Sequence, residues 1–66
     1  MKITYDPAID VLRILLAAGR IHQSEEAGPG VIVDFDADGN AVGFEVLDAS
    51  RRVDNARAVE YAVAGV

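Results

Sequence analysis

From Val31 to Phe35, and again from Val42 to Val46, every second residue is a large apolar one. That is the period of a β-strand with one face toward a core. Between the two runs stands Asp38-Gly39, a pair that tolerates the positive φ of a hairpin tip. Folding the chain there pairs Asp36 with Ala41, Phe35 with Val42, Asp34 with Gly43, Val33 with Phe44, Ile32 with Glu45 and Val31 with Val46. Val31, Val33, Phe35, Val42, Phe44 and Val46 then share one face, and Asp34, Asp36 and Glu45 look toward water on the other. A slip of one residue would bury carboxylates, so the alternation specifies the register.

The same letters, "DFDADGNAVGFE", also place Asp34, Asp36, Asp38, Gly39 and Glu45 at the positions of an EF-hand calcium loop. Such a loop needs a helix entering and a helix leaving. "GPGVIV" before it and "FEVL" after it are strand compositions, and no second loop is present to pair with the first. The hairpin is therefore preferred. Asp34, Asp36 and Glu45 on one face would attract a cation weakly, but a solvated acidic face accounts for them as well, and no metal is assigned.

"KITYD" alternates, with Ile3 and Tyr5 on one face, and meets the turn opener Asp6-Pro7. Residues 7–18 carry two patterns. Asp6 as N-cap, Pro7 as first helical residue and Gly19 beyond the end bracket a helix, toward which the pattern alone leans; the rival is a strand over residues 11–17 with Leu12, Ile14 and Leu16 inward and Arg13 outward. Residues 20–27 read as a charged edge strand, and Gly28-Pro29-Gly30 as a turn. Asp48 or Ser50 is placed to cap a short turn, and Asp54 to cap a C-terminal helix over residues 55–65. Ala56, Val59, Ala62, Val63 and Val66 recur there at helical spacing, an apolar stripe for a sheet or a second subunit.

Sixty-six residues make a single domain over 1–66, with a thin stability margin at that length. There is no cysteine, which excludes disulfides and thiolate zinc sites and makes a reducing cytoplasm the expected compartment. A subunit interface is the staple that remains, so a homo-oligomer, first of all a homodimer, is expected. The N-terminal stretch has neither a signal-peptide layout nor an apolar run long enough for a bilayer. Formal net charge is -5, and residues 21–50 contain seven acids and no Lys or Arg. Such a field repels nucleic acid and membranes. The basic cluster Arg51, Arg52 and Arg57 is diluted by Asp54 and Glu60 and reads as a solvated helix face.

Catalysis is not expected. The chain offers one histidine, His22, without a nearby nucleophile or second ligand, two serines and a set of exposed acids. Asp6 and Asp10 would make an acidic pair, but aspartate before a turn proline satisfies backbone donors locally. Gly28-Pro29-Gly30 lacks the helix and lysine of a phosphate loop. No catalytic, cofactor-binding or metal residue is assigned.

Tyr5-Asp6, Asp10, Leu12, Ile14, Ser24-Glu25-Glu26, Gly30-Val31-Ile32 and "DFDADGNAVGFEVLDAS" together resemble a small prokaryotic family, domain of unknown function 2283. The likeness runs from Met1 to about Arg52 and is most specific in the hairpin. Residues 53–66 lie outside it. The family usually has an aromatic residue where Arg13 stands, and a plainer alternation than "RILLAAG". The resemblance implies an antiparallel sheet and tips residues 11–17 toward strand, leaving Leu15 to be covered by the helix or another subunit. The expected architecture is thus α+β: a meander of four to five antiparallel strands over residues 1–52 with a C-terminal helix over 53–66. The resemblance carries no activity. A homo-oligomeric interaction module is the first functional expectation, an antitoxin-like acidic binder of a basic protein the second, and weak calcium binding through residues 34–45 the third.

Overall fold

The computed structural model describes residues 1–65. Five strands, β1 (Lys2–Asp6), β2 (Val11–Leu15), β3 (Gln23–Gly28), β4 (Val31–Phe35) and β5 (Ala41–Leu47), are followed by a one-turn helix α1 (Ala49–Arg52). They form one antiparallel sheet in the order β1-β2-β5-β4-β3. Strand, not helix, is therefore the state of Val11–Leu15.

The expected meander is corrected in one respect: β2 pairs with β5 and not with β3. Polarity explains the order. The three most apolar segments, β2, β4 and β5, are central, whereas "QSEEAG" in β3 stands at an edge, where its carboxylates meet water. The chain must consequently cross the end of the sheet between β2 and β3. Val42 and Phe35 hold that crossing: the N–H groups of Leu16 and Ala17 donate to the Val42 carbonyl at 2.9 and 3.4 Å, and His22 N–H donates to the Phe35 carbonyl at 2.8 Å.

The β4–β5 hairpin keeps four expected pairs, Val31 with Val46 through Asp34 with Gly43, but Phe35 lies opposite Ala41. Val42 is the additional residue of a β-bulge. The cause lies in the loop, which is wider than a two-residue tip. The Asp36 carboxylate accepts the N–H groups of Asp38 and Asn40 at 3.0 and 2.9 Å, and Asp36 N–H donates to the Asn40 carbonyl at 2.9 Å. Gly39 takes φ 82° within that loop, a conformation that costs other L-residues about 1–2 kcal/mol.

Opposite residues share a face. Ile3, Tyr5, Leu12, Ile14, Phe44, Val46, Val33 and Val31 line the first face, and Lys2, Thr4, Arg13, Leu15, Gly43, Glu45 and Asp34 the second. The core is slight. Among the described residues the buried apolar ones are Leu12, Val42 and Ala49.

The C-terminal helix expected over residues 55–65 is absent among the described residues: the only helix there is Ala49–Arg52. Val66, the last residue of the proposed stripe, lies outside the described residues. An isolated helix of this length is marginal in water, and the stripe finds no second layer, with Val59, Tyr61 and Val63 at 59, 76 and 71% exposure. Asn55, rather than Asp54, organises the local turn by accepting Arg57 N–H at 3.0 Å. The tail crosses the first face, and the Arg57 guanidinium lies 5.7 Å from the Tyr5 ring centroid, within the range of a cation–π contact.

Gly43 sits where strands approach most closely. A β-carbon there would lie 3.0 Å from the Ile14 carbonyl oxygen and 3.6 Å from Asp34 Oδ2. Gly43→Ala is expected to destabilise the fold by about 1–3 kcal/mol, seen as a lower urea midpoint at unchanged slope; a midpoint equal to that of the wild type would refute the tight packing.

Candidate functional site

Two polar clusters stand out from the sheet. The first gathers on Asp10, at the end of the turn that enters β2. Asp10 has φ 54°, a left-handed conformation in which aspartate is one of the tolerated residues. Its Oδ1 accepts the Tyr5 hydroxyl at 2.7 Å and Ser50 N–H at 3.0 Å, and its Oδ2 accepts the Ser50 hydroxyl at 2.6 Å. Its carbonyl also accepts Ala49 N–H at 3.0 Å. Asp10 therefore caps α1 from 40 residues away. Asp48, in the N-cap position with φ 52°, makes no side-chain cap bond, and Ser50 lies inside the helix as Asp10's partner.

The Ser50 hydroxyl, then the Tyr5 hydroxyl, then Ser50 N–H hold the Asp10 carboxyl below the ordinary value, against a small opposing effect of burial. Its hydrogen bond to Asp10 raises the Tyr5 phenol and keeps it a donor. A carboxylate held low is a weak base, so Ser50 is pinned by its acid and not activated. Asp6 does not join this cluster. Its carboxylate accepts Ala8 N–H at 3.0 Å, the local turn role expected of it.

The second cluster reverses an expectation. Asp34, expected to face water, is 1% exposed. The carboxyl leans over Gly43, which has no side chain to hold it off, and Oδ1 accepts the Ser24 hydroxyl at 2.6 Å. Oδ2 is buried and receives no bond from a nitrogen or hydroxyl donor. Glu45 is its diagonal neighbour on the same face. Burial pushes the Glu45 carboxyl up, as do its hydrogen bond to Asp34 and the Asp34 charge, while Arg13 across the strand pair pulls it down. Gly43 was the legible signal, because a glycine inside a strand marks close approach and this one stands opposite an aspartate.

Asp36 is separated from this pair. Beyond the bulge its carboxylate turns into the loop, occupied by Asp38 and Asn40, bonds that hold it below the ordinary value, Asn40 N–H foremost. Among the described residues no three Asp, Glu, His or Cys side chains are grouped to hold a metal ion. His22 is exposed and borders an open hollow of about 390 Å³ with Gln23, Glu25, Phe35 and Asp36. Neither serine reaches it, since Ser24 and Ser50 are bonded to Asp34 and Asp10.

A family model described as "Protein of unknown function (DUF2283)" matches residues 2–50, and the chain belongs to that family. No curated protein and no solved structure matches the chain. The family span covers the five strands and stops at Ser50, the residue that Asp10 holds.

A carboxyl raised in the folded state contributes stability that is complete below its unfolded value, ordinarily 4.5 for glutamate, and lost as pH rises through the folded value. Glu45→Gln keeps a neutral donor beside Asp34 at every pH. It is expected to melt higher than the wild type near about pH 7.5 and to lose that advantage toward about pH 4.5. Thermal melts of both proteins across this range check it, and parallel curves would contradict the raised Glu45 carboxyl.

Proposed function

We propose that this DUF2283 member is a non-enzymatic interaction module that works as a homo-oligomer, a homodimer at its simplest. The observation that carries the reading is the core of Leu12, Val42 and Ala49 under a five-stranded sheet. A sheet needs a packed layer for independent stability, and a chain this short generally adds disulfides, metals or subunits. Disulfides are impossible here. Ile3, Leu16, Ile21 and Leu47 remain between 37 and 40% exposed, apolar surface that a second copy is suited to cover.

The non-enzymatic half of the reading is supported by the polar clusters. Each serine donates to a carboxylate and neither to His22, so no serine–histidine pair of the kind that activates a hydroxyl is formed among the described residues. The cytoplasm suits a chain without cysteine, and no helix among the described residues is long and apolar enough to cross a membrane.

A second reading, an antitoxin-like acidic binder of a basic protein, draws on the absence of Lys and Arg between residues 21 and 50. Charge of one sign speeds encounter with an opposite partner. Weak calcium binding through residues 34–45, the third expectation, would require Asp34 and Asp36 to leave the donors they now accept.

Sedimentation equilibrium at micromolar concentration is expected to give about twice the 7.0 kDa of one chain, and the melting temperature is expected to rise with protein concentration. A stable 7.0 kDa species with a concentration-independent melt would overturn the homo-oligomer.

A further inference from the structure

The two edges of the sheet differ in kind. β3 presents Glu25 and Glu26 side by side, with a register irregularity between Glu26 and Gly28. Pairing β3 with a second β3 sets Glu25 against Glu26, or Glu25 against itself, in its two central antiparallel registers, and like charges directly opposite one another are destabilising. Such an edge is guarded. β1, at the other end, reads Lys2-Ile3-Thr4-Tyr5-Asp6. It has no net charge in a chain of formal charge -5, no proline and no bulge. Among the described residues, none of the backbone bonds made by the turns and tail reaches it.

Turned by a two-fold axis through Thr4, this strand complements itself. Lys2 of one copy faces Asp6 of the other, and the reverse, on the second face of the sheet. Ile3 faces Tyr5 on the first face, and Thr4 faces Thr4 on the axis. Every charge meets its opposite. Ile3, 38% exposed in the single chain, gains an aromatic neighbour, a favourable cross-strand pair. A two-fold seam is also closed, whereas pairing β1 of one copy with β3 of the next leaves an edge free at each end and grows a filament.

We infer that β1 is the seam of the homodimer: the β1 strands of two copies pair antiparallel about Thr4 and join two five-stranded sheets into one of ten strands. This rests on the homo-oligomeric reading above and names its surface. The partner is a second copy of this chain, selected by the Lys2–Asp6 complementarity and by backbone pairing along the edge.

The cysteine-free chain allows a direct test. Opposed residues of an antiparallel pair have Cα atoms about 4.5–5.5 Å apart, inside the disulfide range of about 4.4–6.8 Å. Under mild oxidation Thr4→Cys is expected to run almost wholly as a cross-linked dimer on a non-reducing gel, and Gln23→Cys, on the β3 edge, to remain uncross-linked. Thr4→Glu and Thr4→Lys place like charges on the axis, and each alone is expected to raise the dimer dissociation constant at least about tenfold. Mixed one to one they are expected to form a heterodimer in native mass spectrometry, which also establishes that both variants fold. A monomeric wild type overturns the homo-oligomeric reading and the seam together. A dimeric wild type with Thr4→Cys uncross-linked, or with both charge variants still dimeric, overturns the seam alone.

Discussion

Donors from β1 and α1 converge on the Asp10 carboxylate, and a further N–H takes its carbonyl. Through Tyr5 the residue holds the edge strand; through Ser50 and Ala49 it holds the helix that follows the last strand. The start and the end of the family unit are thereby fastened to one turn. Ala49 is fully buried as a result, one of three apolar side chains that are buried among the described residues. Charge-assisted bonds are roughly twice as strong as neutral ones, and in a sheet with so little packed apolar volume they carry an unusual share of the order. Replacing the acid would release two elements at once, because no other residue among those described bonds to both.

The same substitution of polar fastening for core recurs elsewhere in the sheet. Asp36 closes the β4–β5 loop, and the Val42 carbonyl beyond it accepts the N–H of Leu16 where the crossing chain leaves β2. Asp34 binds β3 to β4 through Ser24 and reaches Glu45 on β5. Three aspartates hold the corners of the molecule.

Much of the strand content was legible because alternation is a local signal. The β4–β5 register follows from Val31, Val33, Phe44 and Val46 alone, and Ile3 and Tyr5 identify β1. Three features were not local. The order β1-β2-β5-β4-β3 depends on which segments tolerate an edge, a comparison across the whole chain. The tail carries helical spacing in Ala56, Val59, Ala62 and Val63, but an amphipathic stripe becomes a helix only where something receives it. Asp34 looked solvent-facing by its period, and its burial depends on a missing β-carbon across the strand pair at Gly43. Of the two clusters, the Asp10 knot was visible only as the residues Tyr5, Asp10 and Ser50 lying apart in sequence. Nothing in their spacing announced that a left-handed turn and a one-turn helix would bring them together.

The acids also set opposing pH slopes. Asp10 and Asp36 are held below 3.8, so what they contribute is present above that value and lost as pH falls through their folded values. Glu45 is raised above 4.5, so what it contributes is lost as pH rises. Between these limits all three favour the folded sheet. As pH rises through the folded value of Glu45, negative charge is added beside the buried Asp34 on the second face, the face on which the proposed seam pairs Lys2 with Asp6. Arg13 stands between Thr4 on β1 and Glu45 on β5, opposing that charge where it lies nearest the edge. The Arg13 guanidinium thus stands between the acidic pair on the inner strands and the edge strand β1.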